Sequence, residues 1–509
     1  MTDKKSKITI PLNRVEGDLE LTLELGEGIV TDSWSRGVMY RGFENMLKGR
    51  APKDGLVLTP RVCGICGTAH LLAAAKALDM ISQVRIPVNA LLVRNLTSMA
   101  EHLQSDMRQA ILMFMKDFIN PAYRRQPFFK EALKRYDPFK GSSVLQAITS
   151  TKQIVEIIAI IGGQWPLSSF MVPGGVASTM TQDDIISCRY IVSQFKTWYE
   201  KKVLGCSLQR WAAIKTSDDL ERWYDESESH RHAEIGFFLS CARVLNLEKT
   251  GKGYKNFLSF GQFELPEDHG SDTPRMVFAP GFYSQGTLDS FNQQLISEHV
   301  THSCFEDYAG GLHPFMGETT PFIGGPEHFK YSFAKAPRYQ DKPAETGPLA
   351  EMLCSNQPLF VDLLAKQGGN TVARQLARFS RAAVLLPYME KWLGMIDPAD
   401  TFYTPIPFIP DGKGYGLTSG SRGALGHWVV IEDGEISKYQ IITPTSWNGS
   451  PRDSSHARGP WEEAVIGTEV DEPENPVTVG HIIRSFDPCQ VCSVHTLQKD
   501  KGLKTRYRV

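Results

Sequence analysis

Two short stretches of the chain carry cysteines at a spacing that suits metal chemistry. One is RVCGICGTAH, with Cys63, Cys66 and His70, and the other is DPCQVCSVH, with Cys489, Cys492 and His495. Cysteines at i and i+3 project from one side of a turn, so two thiolates can share one ion. Two such pairs supply four soft sulfur ligands. A single CxxC fits a structural zinc site or a redox dithiol. The spacing speaks against both, because zinc-ribbon pairs sit roughly 15–20 residues apart and these two are separated by most of the chain. A thioredoxin-type dithiol needs a βαβ pattern, which neither stretch shows. The remaining cysteines, Cys188, Cys206, Cys241, Cys304 and Cys354, have no partner spacing and read as small buried apolar residues.

The elements that must position these groups come from an ordinary globular composition. The 509 residues are 41% hydrophobic and 22% charged, enough to bury a large core, and the net charge of −2 gives no global field for nucleic acid or an anionic membrane. Nine cysteines spread thinly argue for a reducing compartment, so the cytoplasm is the expected location, with any membrane association made through partner chains. The N-terminus lacks the apolar stretch of a secretory signal. The most apolar window, residues 154–172, carries Glu156, Gln164 and Pro166, and reads as a buried helix followed by a loop.

Alternation in LELTLELGEGIVTDSW predicts a hairpin near the N-terminus, and HWVVIEDGEISKYQII predicts another near the C-terminus, turning at Asp433-Gly434. Between them the period becomes helical: Leu92, Leu96, Met99, Leu103, Met107, Ile111 and Phe114 recur at three- and four-residue spacing. Helical runs are also expected at about 143–161, 182–203 and 371–393, the last kinked or broken at Pro387. The fold class is therefore mainly α with small β-sheets (α+β): a helix-rich body around long core helices, with sheets contributed by both chain ends.

The blocks RVEGDLEL, RGFENMLKGR, RVCGICGTAH, VPGGV, SRGALGHW, TPTSWNGSPRD and DPCQVCSVH, spread from residue 14 to residue 495, resemble the large, catalytic subunit of [NiFe]-hydrogenases. The form RVEGD, with Asp18 where the commonest members have His, looks like the cyanobacterial-type uptake branch. The resemblance implies reversible heterolytic cleavage of H2. Cys63, Cys66, Cys489 and Cys492 would ligate nickel, with Cys66 and Cys492 bridging to an iron that carries carbonyl and cyanide ligands. Arg422 would lie over the metals, and Thr445 would give a second hydrogen bond to cyanide. Glu16 would accept the proton leaving Cys489, since a carboxylate at hydrogen-bond distance is what proton transfer needs. Asp487 and Asp117 would pair with Arg422, because a buried unpaired guanidinium is costly. Glu44 and His495 would hold Mg2+, although imidazole is an unusual ligand for that ion. His70 reads either as a donor to a neighbouring sulfur or as a satisfied core histidine.

The resemblance also implies two parts of unequal size: residues 1–495 as one large-subunit domain, and 496–509 as an extension removed by a maturation endopeptidase after nickel-insertion proteins have acted. The extension, TLQKDKGLKTRYRV, has five Lys or Arg and one acidic residue, so burying it beside Glu44 would carry a heavy desolvation cost. After four cysteines are spent on the site, the rest show no iron–sulfur spacing, so an iron–sulfur small subunit is the expected obligate partner. Two other classes stand beside this reading: a metal-free scaffold subunit of a quinone-reducing complex, and a zinc-stabilised binding module.

Overall fold

The computed structural model describes residues 6–15, 19–322, 324 and 329–489. Its first element is a three-stranded antiparallel meander, β1 (Ser6–Leu12), β2 (Leu19–Gly26) and β3 (Ile29–Gly37), the last two forming the expected hairpin. Leu19, Leu21, Leu23 and Leu25 all face inward from β2, as a period of two requires. They do not join the main core. They pack with Val479, Ile482, Ile483 and Phe486 from the end of the described chain, so the two chain ends share one small hydrophobic cluster.

The body is helical. Helix α1 (Gly67–Ile81) follows the first cysteine pair, and α2 (Val88–Arg108) carries the long apolar stripe. The stripe does not stay α-helical to Phe114: residues Gln109–Phe114 widen into a π turn, where Gln109 Nε2 donates to the Arg484 carbonyl at 2.5 Å. Helix α3 (Thr371–Leu393) contains Pro387 without breaking there. Proline costs about 3 kcal/mol inside a helix, and burial of Leu385, Leu386, Met389, Trp392 and Leu393 around it offsets that. The apolar window resolves as a helix, Glu156–Gly162, ended by Gly163 at φ 79° and followed by a loop. Together with the preceding helix, Ser142–Ile154, it is long and apolar enough to cross a membrane by length and composition, but 44% of its most apolar stretch is buried inside the protein.

A second meander, β4 (Gly412–Gly420), β5 (Gly423–Glu432) and β6 (Glu435–Ile442), lies against α1. Its β5–β6 turn has Asp433 and Gly434 both at positive φ, 54° and 76°, the two-residue hairpin that the Asp-Gly pair predicts. Helix and strand approach unusually closely: a Cβ on Gly416 would stand 1.8 Å from the Ala73 carbonyl oxygen. Helix α4 (Val477–Ser485) then leads to the second cysteine pair. With the other small antiparallel sheets, among them the hairpin of Asn256–Glu264 and Met276–Ser284, this is the expected α+β architecture.

Candidate metal centre

Three elements converge where α1 begins. Cys63 leaves a short helical turn, Thr59–Arg61, and Cys66 caps the N-terminus of α1. Two side chains that sequence reasoning did not single out hold this loop. Arg41 donates to the carbonyls of Val62 (2.6 Å) and Arg61 (2.7 Å). Glu101, buried on α2, accepts the first free amides of α1 with both oxygens, Thr68 at 2.9 Å and Ala69 at 3.1 Å. An acid at a helix N-terminus satisfies orphan donors and opposes the helix dipole. Burial, against these bonds, pushes the Glu101 carboxyl up to about 7.

The second pair arrives from the far end of the sequence. Asp487 turns the chain at φ 60° after α4, and the Cys489 amide donates to Thr445 Oγ1 at 3.1 Å. The outcome is a Cys63 Sγ–Cys489 Sγ distance of 3.4 Å between residues 426 positions apart. Cys63, Cys66 and Cys489 form a cluster of their own with Ile65, exposed by only 1%, 5% and 0%. Cys492, Glu16 and His495 lie outside the described residues. Of the other cysteines, Cys188, Cys241 and Cys354 are buried as expected, whereas Cys206 and Cys304 are only partly so.

Arg422 occupies the tip of the β4–β5 hairpin, and that tip points into the interior. Its Nε is 3.2 Å from Asp487 Oδ1, and its buried Nη1 donates to none of the described residues. Burial works against its charge, but Asp487 and the three cysteines outweigh burial and raise its pKa. Asp487 in turn contacts Arg378 (3.1 Å), which reaches Asp106 (3.2 Å); Asp106 grips Arg381 with both oxygens at 2.7 Å, and Arg381 binds Glu351 at 2.8 Å. Arg381 also donates to the Ser421 carbonyl at 2.5 Å, next to Arg422. Desolvation leaves the Asp106 carboxyl above its ordinary value despite its arginines, while Asp106 and Glu351 overcome burial and raise Arg381. Two-point guanidinium contact favours the ionised pair at neutral pH.

Asp117 needs correction. The sequence reading paired it with Arg422, but it sits with Arg14 and with Arg484 (2.6 Å), under His481. Burial opposes its charge, and Arg484 and Arg14 more than compensate, lowering its pKa. The reason is topological: Asp117 faces the cluster of β1–β3 and α4, and the acids that reach Arg422 and its supports come from α2, at Asp106, from the helix Pro348–Cys354, at Glu351, and from the segment after α4, at Asp487. Arg14 and Val15 nevertheless border the centre, since they line a cavity of about 90 Å3 with Ile65, Arg422, Asp487 and Pro488.

His70 lies on the first turns of α1 with its Nδ1 3.0 Å from His427 Nε2. Burial lowers its pKa to about 4, against the field of Cys63, so the ring is neutral. Glu44, on the short helix Phe43–Leu47, is set in a different pocket: Oε1 accepts the Ile441 amide at 2.9 Å, the Thr319 hydroxyl donates to Oε2, and Lys335 Nζ stands 3.9 Å from both Glu44 and Glu298. Burial first, then the Glu44 charge, lifts Glu298 to about 7 against the pull of Lys335.

Comparison with known proteins gives the family. The family model of the nickel-dependent hydrogenases matches residues 41–123 and 139–495. The periplasmic [NiFeSe] hydrogenase large subunit of Desulfomicrobium baculatum is 32% identical, over 98% of this chain and 97% of that one. The uptake hydrogenase large subunit of Azotobacter chroococcum is 28% identical over 98% and 96%. Among solved structures, an H2-activated [NiFeSe]-hydrogenase of Dm. baculatum superposes with a TM-score of 0.82 at 33% identity, covering 96% of this chain and all of that one. The chain belongs to the nickel-dependent hydrogenase family, of which it is a large subunit.

Proposed function

We propose that Cys63, Cys66, Cys489 and Cys492 hold a nickel–iron centre whose iron carries carbonyl and cyanide, and that the chain there cleaves H2 reversibly to protons and electrons, in the uptake direction. The observation that carries this is the 3.4 Å approach of Cys63 and Cys489 across 426 positions. The residues present fit such a group in two respects. The donor set is thiolate, which suits soft transition metals, and a buried guanidinium stands over it with Nη1 left without a described partner, ready for an anionic acceptor. When bound, the metals supply Lewis acidity toward H2.

What the protein contributes is positioning and proton handling. Burial of the sulfurs keeps bulk water out, and Asp487 with its arginine network keeps Arg422 charged and aimed. Thr445, fixed by the Cys489 amide, keeps its own hydroxyl proton available to a second acceptor. Glu16 takes the proton from Cys489; in the sequence it follows Arg14 and Val15, which border the cavity beside Arg422. Glu44 with His495 holds Mg2+; the buried oxygens of Glu44 and Glu298, the latter's Oε2 without a described hydrogen-bond partner, fit a hard cation. Electrons leave through an iron–sulfur small subunit. The functional form lies in the cytoplasm or on a membrane through its partners, and it ends at His495 once an endopeptidase has removed 496–509.

The test is infrared spectroscopy of the purified enzyme, which should show carbonyl and cyanide bands. Metal analysis giving zinc without nickel and iron would sink the proposal. Glu16→Gln should leave the bands in place and strongly impair turnover, and intact-mass analysis should find a terminus at His495.

A further inference from the structure

A line of three buried side chains runs away from the cysteine cluster. His70 Nδ1 is 3.0 Å from His427 Nε2, and His427 Nδ1 is 2.8 Å from Tyr439 Oη. His70 and His427 are 1% and 0% exposed, and Tyr439 only 3%. We propose that Tyr439 is a positioning residue that fixes the tautomer of His70, so that His70 presents an Nε2–H donor to the cysteine cluster; this rests on the nickel–iron reading above.

The argument is one of donors and acceptors. A neutral imidazole has one donor nitrogen and one acceptor. Both rings are sealed from water and have no carboxylate among their described hydrogen-bond partners, so a second proton on either would be a buried charge without a counter-ion, and each stays neutral. Two neutral rings in line can therefore be polarised in only two senses, and the phenol decides between them. Among the described residues, His427 Nδ1 is the partner of the Tyr439 hydroxyl. If Nδ1 carried the proton, the phenolic hydrogen would be buried with no acceptor, which is costly. The hydroxyl therefore donates to His427 Nδ1. His427 must then carry its proton on Nε2 and donate it to His70 Nδ1, leaving Nε2–H of His70 as that ring's donor. His70 follows Cys66 by one helical turn, its amide bonded to the Cys66 carbonyl at 3.2 Å, and the Cys63 charge acts on its ring. A donor in this position draws electron density from thiolate sulfur, as outer groups tune a metal through its ligands.

Tyr439→Phe deletes one oxygen from a filled site and frees both tautomers. The measurement is the carbonyl and cyanide infrared spectrum of the purified holoenzyme, beside its nickel and iron content. With metal content unchanged, the bands of Tyr439→Phe should shift or double. A second variant, His427→Gln, keeps the sense of the chain, because an amide accepts from Tyr439 with its oxygen and donates to His70 with its nitrogen; its bands should match the wild type. Tyr439→Phe bands superimposable on the wild type overturn the inference, and so does His427→Gln displacing them as far as Tyr439→Phe. Absence of such bands from the wild-type enzyme removes the nickel–iron reading itself, and this inference with it.

Discussion

Replacing Asp106 by asparagine tests the support beneath Arg422. Asp106, Glu351 and Asp487 face Arg378, Arg381 and Arg422, none more than 6% exposed, so three buried carboxylates neutralise three buried guanidinium groups. The amide has the same shape as the carboxylate but leaves one buried positive charge unmatched. Removing one partner of a buried ion pair costs about 3–5 kcal/mol. Unfolding entropy for 509 residues, at ~2.1 cal/mol/K each, is about 1.1 kcal/mol/K, so Tm should fall by about 3–5 °C. Scanning calorimetry of wild type and variant in the same assembly and metal state makes the comparison. Adding Arg378→Gln returns the cluster to two charges of each sign, and the double variant should recover about 0.5–3 kcal/mol relative to the summed single losses. A Tm loss under about 1 °C for Asp106→Asn, or strictly additive losses in the double variant, would refute the idea that these six groups act as one neutral unit.

Asp117→Asn should destabilise the protein by about 2–4 kcal/mol through Arg14 and Arg484 while leaving the infrared bands in place, since it does not touch Arg422. Its depressed pKa means that this contribution is present above the unfolded value of 3.8 and is lost as acid protonates the folded carboxylate, which acid titration of the variant against wild type would read. Glu101 behaves in the opposite sense. Its folded pKa of about 7 lies above the ordinary value of 4.5, so its burial is least costly below pH 4.5 and weakens folding as pH rises toward 7. Glu101→Gln should therefore gain on wild type by about 3 kcal/mol between those limits, measured by denaturant melts at each pH. Gly416→Ala puts a methyl group 1.8 Å from the Ala73 carbonyl oxygen and should cost more than about 3 kcal/mol, or prevent accumulation of folded protein; a variant of wild-type stability would show that the helix can back away.

Local patterns were legible in the sequence wherever one element decides its own shape. The Asp433-Gly434 hairpin, the leucine alternation of β2 and the apolar stripe of α2 follow from turn chemistry and period. The cysteine pairs announced metal chemistry by type and spacing, but the meeting of Cys63 with Cys489 depends on long-range packing that brings the segment after α4 to the start of α1, which no local rule contains. Charge pairing was misread at Asp117 for the same reason, because which acid reaches which guanidinium is set by helix packing. A signal did exist: Arg374, Arg378 and Arg381 recur at the spacing of core residues on α3, and Glu101 and Asp106 interrupt the apolar stripe of α2. Charges at inward-facing helical positions call for buried partners. Pro387 leaves α3 unbroken because of the side chains packed around it, which composition alone does not show.

The meeting of α1 with β4 is main chain on main chain, made possible by the absence of side chains at Gly414 and Gly416. Such a seam has no rotamers to soften it. It acts as a hard stop that sets how far the hairpin tip stands from the first cysteine loop. Drift in the sequence elsewhere on either element can be absorbed by side chains, so the gap across the reactive centre should stay nearly constant among variants that keep these two positions bare.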